Sequence, residues 1–557
     1  MGPATVSQPT PLLRAPPFPG YRPGKAEALA GSAVVSETDA EAVVEAMREA
    51  RVGGTFWGNP VQLSDELREA VTVVRSRSQD ERDRLVTNCG TDKTIAVEAT
   101  EPDDPVDPWS ILPQAAKLVA HGDDEWVAIA AVLGLEVDII SSGRFGEPGE
   151  KIEELKKRAA EAIMQPFADP FSGSWIAPLK AISLLSEWRR VIDANRGEEG
   201  HRLVAACGIS WWKRFEIERF LWSPGPPLRI FRSSSRALAY AQRQGGALAI
   251  WPSRISRALV EDARRRNVPL VRVEDGFVRS VGLGSNLVPP LSVIVDRTGI
   301  HFDPSMASDL ERILSVHAFS ASLIERARRL RETIVAAGIS KYASGHYAAA
   351  RDQRDIHAKR IILVPGQVED DMSVLAGGGG LTSNLELLRR VREHEPDAEI
   401  WWRPHPDVDA GHRNGFVDDT VALQFADKIV REGSMADLLD QVDNVHVLTS
   451  LSGFEALLRG RDVTCHGTPF YAGWGLTRDL GEVPDRRGRT LKLDQLVAGV
   501  LLLYPRYLDP VTGLPCPPEI LIQRMSDQRT PNRLQWVAPL RRAQGIMMAR
   551  LRRRKPR

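Results

Sequence analysis

Cysteine is scarce in this chain: four residues in 557, Cys89, Cys207, Cys465 and Cys516, far apart and without a CxxC pair. That spacing argues against a zinc-ribbon ligand set and a disulfide framework, and it suits a reducing compartment. Long apolar runs are also lacking. The nearest approach, Leu496–Tyr504 (LVAGVLLLY), is far shorter than the ~20 residues of a membrane-spanning helix. The opening MGPATVSQPTPLLRAPPFPGYRPG is rich in Pro and Gly with no apolar core, so residues 1–38 are expected to be a disordered leader rather than a signal peptide. Net charge is absent, with 73 basic against 73 acidic residues, so the chain as a whole is no polyanion binder and no nucleic-acid partner is expected. No GxGxxG follows a strand, and the run Gly377–Gly380 lacks the Lys-Ser/Thr of a P-loop. That run reads as a flexible loop over a cleft.

What the chain does have is alternation. After Asp39 helical periodicity sets in, and residues 205–300 alternate short apolar strands with helices: LRIFRSS, ALAIWP, SRALVEDARRR, VPLVRVED. A helical stretch over 320–338 follows. A second series then runs through RIILVPGQ, LTSNLELLRRVRE, EIWWRPHP, MADLLDQV, NVHVLTS, SGFEALLRG and DVTCHG. This is the pattern of βαβ units, so the fold class is α/β, with two Rossmann-like domains whose ligands bind at the carboxyl ends of the strands. The expected divisions are 39–200, 201–340, 341–530 and a basic tail, 531–557.

An internal echo supports the first division. Asp169-Pro170-Phe171-Ser172-Gly173 recurs as Asp509-Pro510-Val511-Thr512-Gly513, and the same offset pairs Pro178 with Pro518, Ile182 with Ile522 and Arg189 with Arg529. Aligning Gly134 with Gly460 places Asp124 opposite Ser450 and Trp126 opposite Ser452. Residues 39–200 thus read as a worn partial copy of the C-terminal half-module.

Five constellations carry chemistry. In VRVEDGFVRSVGLG a buried strand ends in Glu274-Asp275-Gly276, flanked by Arg272 and Arg279. Carboxylates there project into a cleft as nucleophile, base or acid, the arginines holding them or an acidic sugar; the alternative is a solvated turn. In WWRPHPD, Arg403 ends a strand and His405 sits between two prolines, Pro404 and Pro406, which fix the imidazole's direction for a phosphate. In LTSLSGFEAL, Ser450, Ser452 and a helix opening at Gly453 form an anion site or a plain N-cap, with Glu455 in reach of ribose hydroxyls. In VPGQVEDDMS, Gly366 admits a ligand to the backbone and Gln367 offers an amide, while Glu369, Asp370 and Asp371 are metal ligands or a solvated acidic turn. FYAGWG, with Trp474, shapes a pocket or packs.

Together, in the order EDGFVRSVGLG, VPGQVEDD, RPHPDV, LTSLSGFEALLRG and GTPFYAGWG, these motifs resemble the capsule-linker β-Kdo transferases, from about Gly208 to Arg529. The resemblance implies a GT-B-like fold and CMP-β-Kdo as donor, with no metal and no other cofactor. It implies retention of configuration through a covalent intermediate on Asp275, supported by Glu274. His405 would bind the CMP phosphate, with Ser450 and Ser452 as the phosphate pair, Glu455 near the ribose and Gln367 at the donor. The implied acceptor is a phosphatidylglycerol-type lipid ending in Kdo, at the cytoplasmic face of the inner membrane, with other capsule biosynthesis proteins as partners. The N-terminal copy lacks the EDG and RPHP motifs and carries Asp124 where a phosphate would sit, so it is expected to be silent. The tail 533–557, with Trp536 and many arginines, suits an anionic membrane or is a basic tail alone. Two other readings stay open: a silent scaffold of capsule assembly, and a transferase for another CMP-activated keto-sugar acid.

Overall fold

The computed structural model describes residues 11–21, 40–61, 71–89, 93–100, 105–197, 201–279, 288–340 and 359–527. They form two compact units, one spanning residues 1–200 with 222–227, the other 201–221 with 228–557.

The first unit is built on a four-stranded parallel sheet of β1 (Val71–Ser76), β2 (Thr94–Glu98), β3 (Ala115–Ala120) and β4 (Glu136–Ile139), ordered β2-β1-β3-β4. A short antiparallel pair, β5 (Phe167–Ala168) and β6 (Trp175–Ile176), precedes the helix Pro178–Arg196. Here the leader expectation is corrected for residues 11–21, while the rest of 1–38 lies outside the described residues. Leu12, Leu13 and Phe18 are buried, and Phe18 packs against the rings of Trp188 and Trp222. Prolines suppress regular structure in this segment but do not stop three apolar side chains from leaving water.

The second unit holds two sheets. One contains β7 (Leu203–Cys207), β8 (Arg229–Phe231), β9 (Ala247–Ile250), β10 (Leu270–Asp275) and β11 (Ser292–Asp296). The other contains β12 (Ile361–Pro365), β13 (Glu399–Arg403), β14 (Lys428–Ile429), β15 (Asn444–Val447), β16 (Asp462–Cys465) and β17 (Arg478–Asp479). The latter is wholly parallel, ordered β14-β13-β12-β15-β16-β17. Its central strands β12 and β15 are buried along their full length, which is why Ile-Ile-Leu-Val reads as one apolar run.

The expected boundary at 530 is corrected as well. The chain returns to the first sheet with β18 (Pro505–Leu508) and β19 (Pro515–Cys516), giving the order β19-β18-β11-β10-β9-β7-β8. β18 pairs antiparallel with β11, so residues 505–516 complete the first sheet rather than the second. Such a long-range pairing has no local signature. The basic tail lies outside the described residues. Among the described residues no helix is long and apolar enough to cross a membrane.

The sheet order β2-β1-β3-β4 of the first unit repeats that of β13-β12-β15-β16 in the second. The helix Glu125–Leu133 joins β3 to β4 as Leu451–Leu458 joins β15 to β16, and Gly134 and Gly460 close them at φ 77° and 67°. That left-handed conformation accounts for glycine at both C-termini. The Asp169 and Asp509 loops are also alike. Each aspartate accepts from the amide two residues on and from the hydroxyl three residues on, and each backbone carbonyl accepts from a glycine.

Candidate active site

A cleft of about 940 Å³ opens in the second unit where the carboxyl ends of β9 and β10 meet those of β12, β13 and β15. One wall carries Ser253, Arg254, Glu274 and Asp275, and the other Gly366, Gln367, His405, Ser450, Ser452 and Glu455. Parallel strands place their last residues and the following loops on a single edge, and here two such edges line one space.

Asp275 is the last residue of β10. Its Oδ1 accepts from Lys213 Nζ at 2.9 Å, and its Oδ2 lies 2.8 Å from Arg279 Nε. Lys213 follows β7 in the turn Trp211–Lys213, and its ammonium stands 3.5 Å from the centre of the Trp251 ring. Burial pushes the Lys213 ammonium below its usual pKa range, and Asp275 opposes that push. Two cations therefore orient one carboxylate, whose side chain remains 20% exposed. Lys213 escaped the sequence reading because WWK is an unremarkable tripeptide until β7 and β10 are brought together.

On the facing wall His405 caps the short helix Pro406–Asp409. Its Nδ1 accepts from the Asp407 amide at 3.2 Å. A backbone amide only donates, so the neutral imidazole carries its proton on Nε2. Gly366 is required for space. A Cβ at that position would lie 2.7 Å from the Trp402 ring and 3.2 Å from the His405 amide. Ser450 caps the helix Leu451–Leu458, its Oγ accepting from the Ser452 amide at 3.2 Å. The helix thus begins at Leu451, two residues before Gly453, and Ser450 with Ser452 stands at its positive end. Glu455 lines the cleft one turn further on.

Several expected ligands take other roles. Arg272 does not line the cleft. It lies three residues back from the end of β10, about 10 Å at the usual strand rise, and its guanidinium donates to the Thr298 carbonyl at 3.4 Å. Arg279 is buried to 1% exposure and reaches the cleft only through Asp275. Gly453 lies beneath the surface, where a side chain would collide with the Tyr471 hydroxyl. Trp474 is fully buried, its Nε1 donating to the Phe470 carbonyl, so FYAGWG packs and only Phe470 reaches the cleft. Arg403 and Gln367 line the cleft but act as braces. Arg403 donates to the carbonyls of Val430, Glu432 and Gly433. The Gln367 amide exchanges two hydrogen bonds with Thr449, at 2.8 and 3.0 Å, which locks the residue before Ser450. Pro406 lines the cleft beside His405.

The acids after β12 each have a task. Glu369 accepts from the Asn384 amide, Asp370 from Arg413 and Asn414, and Asp371 caps the helix Met372–Gly377. Gly377 ends that helix and accepts from the Thr468 amide, so the glycine run is anchored rather than draped over the cleft.

In the first unit, Asp124 caps its helix by accepting from the Trp126 amide, as Ser450 does from Ser452. Asp124 is also paired with Arg75 at 2.8 Å, and the Arg75 guanidinium lies 4.3 Å from the Trp126 ring centre. An internal carboxylate thus occupies the helix terminus that Ser450 leaves open in the second unit.

Comparison with known proteins identifies the family. Residues 246–507 match the family model described as capsule polysaccharide biosynthesis protein. The chain is 39% identical over 409 residues to the capsule polysaccharide modification protein LipA of Neisseria meningitidis serogroup A, covering 71% of this chain and 56% of LipA. It therefore spans about half the length of that relative. It is 43% identical over 310 residues to the lipopolysaccharide-processing protein LpsZ of Rhizobium meliloti, covering 55% of this chain and 70% of LpsZ. Among solved structures it is similar to the β-Kdo 2,4-transferase of Thermosulfurimonas dismutans KpsC, with 32% identity, a TM-score of 0.50, and coverage of 59% of this chain and all of that one. The fold of the second unit is GT-B-like, and the chain belongs to the capsule polysaccharide biosynthesis family.

Proposed function

We propose that this protein is a glycosyltransferase that moves β-Kdo from CMP-β-Kdo to a lipid-linked Kdo acceptor during capsule linker synthesis, with retention of configuration. The observation that carries the reading is Asp275, gripped by Lys213 and Arg279, in one cleft with His405 and the Ser450–Ser452 helix terminus.

The chemistry follows from that pairing. The Asp275 carboxylate attacks the anomeric carbon, and the bond from that carbon to the phosphate oxygen breaks, its electron pair leaving with CMP. Charge grows on the phosphate. The Nε2–H of His405, the Ser452 hydroxyl and the helix terminus are suited to stabilise it without a metal. In the second step the acceptor hydroxyl displaces Asp275 from the same carbon, and Glu274, lining the same cleft, takes the proton. Cations on both oxygens moderate the attack of Asp275 but favour its departure, which suits a group that must do both. The absence of the EDG and RPHP motifs from the first unit, together with its Arg75–Asp124 pair, supports one catalytic centre per chain.

The test is a transfer assay with CMP-Kdo generated in place and a β-Kdo-terminated lipid-like acceptor, read by mass spectrometry. Wild type extends the acceptor, and Asp275→Ala binds CMP but gives neither product nor a Kdo-sized adduct. Full activity in Asp275→Ala removes that residue from the mechanism. Absence of CMP binding in wild type would favour a scaffold instead.

A further inference from the structure

Under the proposed function the cleft must recognise a sugar carboxylate, and the two arginines nearest Asp275 in sequence do not serve. Arg272 is bound to the Thr298 carbonyl just after β11, and Arg279 is buried beneath Asp275. Of the arginines that line the cleft, Arg403 donates to three backbone carbonyls and Arg413 is paired with Asp370. Arg254 is left. It lines the cleft, is exposed, and has no acidic partner among the described residues.

Its position follows from the sheet. β9 and β10 are parallel neighbours, with Ile250 opposite Arg272. Asp275 stands three residues beyond this pair at the end of β10, and Arg254 four residues beyond it in the turn that follows β9, so both rise from the same edge. The turn Pro252–Arg254 is fixed by the Arg254 amide donating to the Trp251 carbonyl at 3.0 Å. Trp251 is also the ring against which the Lys213 ammonium rests. The backbone carrying Arg254 is therefore anchored to the group that holds Asp275, while its guanidinium is uncommitted. A planar fork of donors matches a carboxylate in two-pronged geometry, which an ammonium does not.

We infer that Arg254 is the residue that reads the carboxylate of the sugar acid on the Asp275 wall of the cleft. The inference rests on the proposed function, in which donor and acceptor both carry such a group.

The experiment compares wild type, Arg254→Gln, Arg254→Lys and the exposed control Arg257→Ala, using the full chain. Each is assayed with a Kdo-terminated acceptor and with its carboxamide analogue, and separately for hydrolysis of CMP-Kdo alone. Loss of one charge-assisted pair predicts a KM increase of about 10- to 100-fold in Arg254→Gln. An increase confined to the acidic acceptor places the acceptor's carboxylate on Arg254. An increase in donor KM, with both acceptors affected alike, places the donor's carboxylate there. CMP affinity and the control stay unchanged in either case, and Arg254→Lys recovers only part of the loss. Unchanged KM for both substrates in Arg254→Gln overturns the inference. If wild type transfers nothing, the functional reading fails, and direct binding decides the inference. Wild type would then prefer free Kdo to its carboxyl-reduced form, and Arg254→Gln would not; the same preference in both proteins overturns it.

Discussion

Lys213→Met separates catalysis from stability at this site. Methionine keeps a flexible apolar stem against Trp251 and removes one of the two cations on Asp275. The Lys213 side chain is 8% exposed, and burial lowers its pKa more than Asp275 raises it. The sign follows directly. A lysine whose folded pKa lies below its unfolded value disfavours folding at every pH where the unfolded lysine is charged, neutral pH included. Asp275 keeps Arg279 and its opening to the cleft, so the variant strands no buried charge. Stability is expected to change by no more than about 1 kcal/mol, and Tm by no more than about 4 °C. Activity is another matter. A hydrogen bond to a charged group contributes about 1.5–3 kcal/mol, so if Lys213 sets the aim of Asp275, kcat/KM falls about 10- to 150-fold. The assay is initial-rate transfer beside thermal unfolding of the same preparation. Wild-type turnover in Lys213→Met would refute the argument, as would a Tm loss large enough to account for the lost activity.

The first unit suggests a second perturbation. Asp caps a helix as well as Ser does, and Asp124 shows this arrangement in the same chain, so Ser450→Asp should leave Tm unchanged. A carboxylate beside the phosphate should nevertheless weaken CMP binding by more than about 100-fold by calorimetry, since like charges in contact cost several kcal/mol; undiminished affinity would place the phosphate elsewhere. A third concerns pH. Burial, then the neighbouring His466, pushes His446 down to about 3, and burial pushes His466 down to about 4. The folded state therefore binds fewer protons than the unfolded one below the ordinary histidine value near 6.5, and stability falls as pH drops from there toward 3. Between pH 6.5 and 4 His446 alone contributes a loss of about 3 kcal/mol, and urea midpoints of His446→Leu should decline less steeply than wild type over that range; parallel slopes would rule this out.

How much of this was legible in sequence depends on distance along the chain. The strand–helix alternation, the strand-end motifs and the matching Gly134 and Gly460 were local, because a buried parallel strand must be an apolar run and a left-handed C-terminus favours glycine. Asp275, His405, Ser450 and Ser452 could be singled out because each lies where a strand stops. The return of residues 505–516 to the first sheet could not be read, since antiparallel pairing with β11 spans some two hundred residues and leaves no periodic trace. Nor could the destinations of the charged side chains. Arg272, Arg279 and Arg254 are the same residue type within a short stretch, yet one meets a carbonyl, one lies beneath a carboxylate and one lines the cleft. Residue type sets what a guanidinium can bind, while strand register and depth set which partner is within reach, and those are properties of the assembled sheet.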